Sequence, residues 1–284
     1  MEAAPASAAR LTPPDEHDRF TKHYRSRDAW HAALRHYHWL AQFAPPLRLP
    51  PMLGADAAKL TIDFTYLPSH PLGLADLALV AREMGALHAA IHQTHTFDAN
   101  LARPLLGQDG QPIAADFYSI RRTALARRLE GDEACGAWFN ASQADHILAV
   151  ADGSPAVIYK DSNPRNFLLR GDDLITIDFD DLTLAPPGYD LGKLIVAAAM
   201  TCGPVQQTTI ELILVSYNAA LHRRTPPAHR NPALRCTLAQ LYVWLEVHFV
   251  LTAAYHGQSG YRYRWSDIRP PGASRLFQQG LSTR

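Results

Sequence analysis

Asp161, Asn166 and Asp178 are the side chains in this sequence whose types and spacing suggest chemistry. A carboxylate and an amide oxygen held side by side are hard donors. They suit magnesium, which keeps several waters and takes one or two carboxylates together with substrate phosphates. Asp161 lies in the stretch YKDSNPRNF (159 to 167), five positions before Asn166, and Asp178 follows in ITIDFDD (175 to 181). Asp, Ser, Asn and Pro clusters also build ordinary turns. The three residues therefore carry meaning only if the elements around them bring them together.

Those elements are readable. PAVIY (155 to 159) has the composition of a strand, DSNPR of a loop, and NFLLR, GDD and LITIDF of strand, turn and strand. With Gly171, Asp172 and Asp173 as a three-residue turn, Arg170 pairs with Leu174 and Asn166 falls opposite Asp178. Cross-strand partners have α-carbons about 4.5 to 5.5 Å apart. The count thus expects Asn166 and Asp178 to project near one another, with Asp161 at the loop mouth. The alternative is a polar hairpin end whose Asp forms a turn or caps a helix.

The rest of the chain divides in two. The first 18 residues, rich in Ala and Pro, are expected to form a loose terminus. Residues 19 to 69 hold a short strand (RFTKHY, 19 to 24), a helix (26 to 43, with apolar Trp30, Ala33, Leu34, Tyr37 and Leu40) and a buried strand (KLTIDFTYL, 59 to 67). From about 70 to 284 the pattern is mostly helical, with helices expected from 74, at 115 to 130, 140 to 150, 190 to 200, 206 to 222 and 233 to 255; the hairpin region 155 to 181 is the exception. No internal repeat is visible. A chain of 284 residues suits two lobes with a cleft between them.

Composition narrows the partners. Twenty-seven Lys and Arg balance twenty-seven Asp and Glu, so no global field points to nucleic acid or an anionic membrane. Cys135, Cys202 and Cys236 are odd in number with no close pair, against a disulfide framework or a four-cysteine metal site. MEAAPASAAR lacks the basic and apolar segments of a signal peptide, and LYVWLEVHFVLTAAY is short for a bilayer span and contains Glu246 and His248. A soluble, cytoplasmic protein with a small-molecule partner is expected.

The order strand, D-x-x-x-x-N, hairpin, I-D-F-D resembles the active-site segment of the aminoglycoside phosphotransferase and choline kinase family of protein-kinase-like small-molecule phosphotransferases. Its usual form is H-G-D-x-x-x-x-N, a hairpin, I-D-[WF]-[ED] and a Y-D-L-A-like element. Here these are YKDSNPRN, ITIDFDD and GYDLGKL (188 to 194), with matching internal spacings. TIDFTYLPSHPL (61 to 72) looks like the last N-lobe strand and the hinge that receives adenine. LVAREMGALHAAIH (79 to 92) looks like the helix ending in an L-H pair, and FTKHYRSRDAWHAALRHYHWLA (20 to 41) like the strand with the nucleotide lysine and the helix after it.

The resemblance implies an α+β two-lobe fold with a reduced N-lobe and a larger helical C-lobe. It implies that Asp161 accepts or orients the proton of an attacking hydroxyl, that Asn166 and Asp178 hold magnesium, and that Lys22 pairs with the nucleotide phosphates. Asp190 would brace the catalytic loop, and Arg165 would meet a transferring phosphate or remain a solvated side chain. Positioning and charge neutralisation are what phosphoryl transfer requires. Three departures stand out: Tyr159 replaces the usual His; no glycine-rich loop precedes Lys22; and Ala32, Ala33 and Leu34 stand where an acidic partner for Lys22 is expected, with only Asp28 acidic nearby.

Other features have plainer readings. His88, His92 and His95 are at helical spacing, as in a zinc face, but lack an H-E-x-x-H arrangement and read as a partly buried helix end. RRTALARR (121 to 128) reads as a solvated helix face or a weak anion site. Tyr242, Trp244, Phe249 and Tyr255 read as core, and Asp180 and Asp181 as an exposed hairpin exit or contacts to an amino-bearing acceptor. The expected function is transfer of the γ-phosphate of ATP or GTP, with magnesium, to a hydroxyl of an antibiotic, amino alcohol or sugar, including a cell-surface glycan sugar. The alternative is a non-catalytic, pseudokinase-like nucleotide- or ligand-binding protein.

Overall fold

The computed structural model describes residues 18 to 44, 47 to 70, 72 to 93, 99 to 131, 141 to 225, 231 to 258 and 260 to 282. The expected loose terminus, except Asp18, together with His95 and Cys135, lies outside these residues.

The smaller lobe is one antiparallel sheet and one helix. Strands β1 (Arg19–His23), β2 (Met52–Asp56) and β3 (Thr61–Thr65) pair in the order β1-β3-β2, with Lys22 opposite Ile62. Helix α1 (Arg27–Phe43) starts at Ser26, whose hydroxyl accepts from the Ala29 N–H, and buries Trp30, Ala33, His36 and Leu40 along one face. The Trp30 indole donates to the Thr61 carbonyl at 2.9 Å and pins the helix to β3. Tyr37 and Phe64 pack around Phe179, with ring centroids 5.6 and 6.1 Å away, so the helix, the sheet and the distant hairpin exit share one aromatic cluster. Strand β2 is not foreseen from the sequence.

The larger lobe is helical. Helix α2 (Leu77–His92) packs against a later helix at Gly85, where a methyl group would run into the Tyr217 carbonyl. A two-strand ribbon, β4 (Leu105–Leu106) and β5 (Pro112–Ala114), precedes α3 (Tyr118–Gly131) and α4 (Ala141–Leu148). Strand β6 (Val157–Tyr159) leads into the loop of Asp161, and the hairpin β7 (Phe167–Arg170) and β8 (Asp173–Thr176) follows. Strand β9 (Thr183–Ala185) returns to pair with β6. Helices α5 (Tyr189–Cys202), α6 (Gln207–Arg224), α7 (Leu238–Thr252), α8 (Trp265–Ile268) and α9 (Ala273–Ser282) complete the lobe.

Helix α5 is buried nearly all round, and Gly192 lets it close on α7: a β-carbon there would lie 2.8 Å from that of Trp244. Tyr242, Trp244 and Phe249 of α7 are core. The segment Leu238–Tyr255, three residues longer than LYVWLEVHFVLTAAY, is long and apolar enough to cross a membrane by length and composition only, a test that a buried core helix also passes. In the fold 67% of it is buried, packed against α5 and α9.

The hairpin register differs by one from the expected count. Arg170 pairs with Asp173 and Phe167 with Thr176, so the turn has two residues, Gly171 and Asp172. Gly171 sits at φ +58°, as the first central position of a tight II′-type turn demands, and this favours the shorter connection. Ile177, not Asp178, therefore stands against Asn166, donating its N–H to the Asn166 carbonyl at 2.9 Å.

Candidate active site

A cleft of about 600 Å³ opens between the lobes. One wall is Phe20, Lys22 and Tyr24 at β1 with Phe64 and Thr65 of β3; the back is the connecting segment with Tyr66, Leu67 and Ser69; the other wall is Arg165, Asn166, Leu168 and Ile177 to Asp180. The hairpin is held to both sides by backbone bonds, Thr176 N–H to Arg48 O at 2.8 Å and His70 N–H to Leu169 O at 3.2 Å.

Lys22 reaches across the cleft from β1. Its ammonium lies 2.5 Å from Oδ2 of Asp180 and 2.8 Å from Oδ1 of Asp178. Burial alone would lower its pKa, but Asp180 and Asp178 more than offset that and the pKa ends raised. Tyr24, 3.4 Å from Asp180, has its pKa raised by burial and then by the same carboxylate. His36 of α1 occupies the helix face turned to this spot and packs on the Phe179 to Asp180 backbone; burial holds it neutral. The acidic partner of Lys22 thus comes from the hairpin exit, where the sequence offered an exposed end or an acceptor contact for Asp180.

Asp178 stands at φ +57°, in the left-handed region that a non-glycine residue adopts at a cost. This turns the chain sharply between β8 and the run Phe179 to Asp181. Lys160, 4% exposed, supports the bend from beneath: its ammonium donates to the Ile177 carbonyl at 2.8 Å and lies 4.8 Å from the Phe167 ring centroid. Burial lowers its pKa to about 8, against the opposing pull of Asp178, Asp161 and Asp190. Lys160 stands where the H-G-D form that YKD resembles has its glycine.

The loop between β6 and β7 is equally fixed. The Asn166 amide donates to the Asp161 carbonyl at 2.7 Å and reaches its Oδ2 at 3.4 Å. Ser162 donates to Asp190 Oδ1 at 2.8 Å, and His88 Nε2 stands 3.3 Å from Asp190 Oδ2 and 3.0 Å from the Ile158 carbonyl. Asn163 donates to the Tyr261 hydroxyl at 2.7 Å. Asp161 Oδ1 faces the ammonium of Lys193 at 3.3 Å; burial opposes that charge, but Asp161 together with Tyr261 and Tyr189 more than offsets it and the lysine's pKa is raised. In the sequence nothing singles out Lys193 beyond its place in GYDLGKL.

Asp161, Asn166, Asp178 and Lys22 are therefore brought to one region: Asn166 holds Asp161, and Lys22 holds Asp178. Asn166 and Asp178 both line the cleft and offer hard oxygen donors. Among the described residues no group of three or more His, Cys, Asp or Glu side chains is arranged to hold a metal unaided. The donor set fits magnesium that takes its remaining ligands from water and nucleotide phosphates. His88 and His92 form no zinc face: each faces a backbone carbonyl near β6, His92 Nε2 lying 2.7 Å from Ala156 O.

The run 121 to 128 is not simply a solvated face. Arg121 is 4% exposed and stacks over Phe117, Tyr189 and Tyr159 at 4.6, 4.7 and 5.2 Å, while donating to Thr183 Oγ1 at 2.7 Å and Phe117 O at 3.2 Å. Tyr159, where the family has His, is part of that stack and also lies 6.2 Å from the His248 ring.

The profile of the phosphotransferase enzyme family matches residues 10 to 230. No curated protein matches the sequence. Among solved structures, a microcompartment-associated aminopropanol kinase superposes with a TM-score of 0.58 at 15% identity, covering 95% of this chain and 86% of its own. Amicoumacin kinase, solved with AMP-PNP, Ca²⁺ and its ligand, gives 0.56 at 11% identity over 96% and 86%. A choline/ethanolamine kinase family protein from Mesorhizobium loti gives 0.52 at 13% identity over 94% and 83%. At these identities the likeness is one of fold, the two-lobe protein-kinase-like α+β architecture.

Proposed function

The chain belongs to the phosphotransferase enzyme family, and from that premise we propose that it transfers the γ-phosphate of ATP or GTP, with magnesium, to a hydroxyl of a small molecule. The observation that carries this reading is convergence: Lys22 from the small lobe and Asn166 and Asp178 from the large lobe line one interlobe cleft, and Asn166 holds Asp161 beside it. Asp161 orients the acceptor hydroxyl and takes its proton as the bond to the γ-phosphorus forms and the bond from that phosphorus to the departing nucleoside diphosphate breaks. Lys22, steered by Asp180, carries charge toward the α- and β-phosphates. Asn166 and Asp178 would hold magnesium, which neutralises the charge on the transferring group.

Aminopropanol, choline/ethanolamine and amicoumacin appear in the names of the structural neighbours. Amino alcohols, antibiotics and sugars therefore form the first acceptor panel, and the cytoplasm, where ATP is abundant, is the proposed location. The test is in two steps on the full chain: the melting temperature with and without magnesium nucleotide, then ADP release across the panel. A nucleotide-dependent shift with turnover of one acceptor supports the reading. A shift without turnover of any hydroxyl compound makes the cleft a nucleotide-binding module, and no shift at millimolar nucleotide overturns both.

A further inference from the structure

Asp161 is absent from the lining of the nucleotide cleft; its side chain is 40% exposed and its Oδ1 faces Lys193. The acceptor hydroxyl must therefore reach Asp161 from the side of α5, β6 and α3, and the charges on that side decide what can arrive. Lys193 is there with 14% of its side chain exposed, and its carboxylate partner is the very group that has to engage the hydroxyl. Behind it lies Arg121. Among the described residues no carboxylate stands within ion-pair distance of its guanidinium, and its buried Nε has no hydrogen-bond partner.

The acids nearby are engaged elsewhere: Asp116, within the field of Arg121, has both carboxylate oxygens held by Ser119. Asp190 is buried and engaged by Ser162 and His88. Glu246 is buried against Trp265 and Arg269. Asp181, exposed beyond the hairpin exit, has Asp180 and Asp178 as its foremost charged neighbours, ahead of Lys22 and Asp161. His248, buried beside Tyr189, is kept uncharged by burial and then by Lys193 and Arg121.

An ammonium ion is held in a protein by carboxylates or by the faces of aromatic rings. Here the faces of Phe117, Tyr159 and Tyr189 are already occupied by the Arg121 guanidinium, and the cation that stands directly beside Asp161 is Lys193. A cationic acceptor would meet repulsion, whereas an anionic one would supply the missing counter-charge. Resting on the phosphotransferase reading, we propose that the acceptor carries an anionic group, a carboxylate or a phosphate ester, beside its reacting hydroxyl, and that Lys193 pairs with that group over the field of Arg121. This sets the chain apart from kinases of amino alcohols while keeping the same phosphoryl-transfer centre.

The test uses the full chain saturated with magnesium AMP-PNP, so that the nucleotide phosphate sites are filled, at constant ionic strength. Glycerate and glycerol phosphate probe the two anion types, glycerol is the neutral match, and choline and ethanolamine are the cationic ones; melting temperature is the readout. An upward shift with glycerate or glycerol phosphate and none with the others is expected, and the stronger of the two says which anion is read. Lys193→Met should weaken the anion response by roughly tenfold or more, as loss of a charge-assisted bond does, while Lys193→Arg retains it and both variants keep the nucleotide shift.

A response to choline or ethanolamine with none to the anions overturns the proposal. So does an anion response unchanged in Lys193→Met, or no response to any probe while the nucleotide still binds. If magnesium nucleotide itself causes no shift in the parent chain, the phosphotransferase reading has failed first.

Discussion

The ammonium of Lys22 and the carboxylate of Asp180, from opposite lobes, are 2.5 Å apart. This pairing replaces an acidic residue on α1, whose face toward the site carries His36 instead. It also leaves Asp178 as the second, longer partner of the same lysine, at 2.8 Å. Asp180 therefore shares Lys22 with Asp178.

Asp180→Asn is expected to leave Lys22 on Asp178 alone, misplacing the phosphate-directed charge and tying up a candidate metal ligand. Nucleotide affinity should fall by roughly tenfold, the scale of one charge-assisted interaction in a partly exposed site. Lys22→Met should produce a similar loss, and the double variant should fall little further because both changes break one interaction. Titration calorimetry with magnesium nucleotide on the three variants decides it. Parent-like affinity in Asp180→Asn would show the pairing to be incidental.

Much of this centre can be read from local sequence, because the motif residues lie on short connected elements. The loop of Asp161 and Asn166 and the hairpin that returns Asp178 span fewer than twenty residues, so composition and turn chemistry suffice. The register slipped by one because GDD serves a two- or a three-residue turn, and only the φ of +58° at Gly171 selects the shorter. Asp180 could not be assigned to Lys22, since the two meet only when the lobes close on one another. Arg121 read as a surface charge for the same reason: its aromatic cage comes from α3, β6 and α5. Strand β9, three residues long, is too short for any periodicity to reveal.

The Ser162 hydroxyl donates to Asp190 at 2.8 Å in a fully buried setting, and His88 completes the contact. Ser162→Ala should cost about 1 to 2 kcal/mol of unfolding free energy, the usual loss when a buried acceptor loses its donor. Asp190→Ala should cost more, leaving both Ser162 and His88 without their carboxylate. Urea unfolding of the pair measures this. Equal stability to the parent in both would mean that the loop is held by its backbone bonds alone.

Glu246 provides a pH test remote from the cleft. Burial pushes its carboxyl pKa up to about 7, against the lowering pull of Trp265 and Arg269. The folded chain then holds a proton that the unfolded chain releases nearer 4.5. The contribution to stability is therefore fully present below the unfolded value and is lost as pH rises through about 7. Glu246→Gln, which cannot ionise, should melt close to the parent near pH 4.5 and above it near pH 8. Melting curves at the two pH values check the sign; a constant difference between the two proteins would remove burial of the charge as the cause.

Asp161 and Asp178 can be separated because they sit in different electrostatic settings. Asp161 faces Lys193 and the Asn166 amide at the edge of the nucleotide cleft without lining it, whereas Asp178 lines that cleft and holds Lys22. If Asp161 orients the attacking hydroxyl, Asp161→Asn should leave magnesium-nucleotide binding nearly intact while lowering kcat by about 100-fold or more, the usual worth of a positioned base. Asp178→Asn removes a charged ligand and the second partner of Lys22, so nucleotide affinity and turnover should fall together. At its positive φ of 57° Asn is tolerated about as well as Asp, so backbone strain will not confuse the comparison. Nucleotide affinity, turnover and melting temperature are measured side by side for the two variants. If both melt early yet bind magnesium nucleotide like the parent, the carboxylates only shape the loop and the hairpin exit, and the cleft is not a phosphoryl-transfer centre.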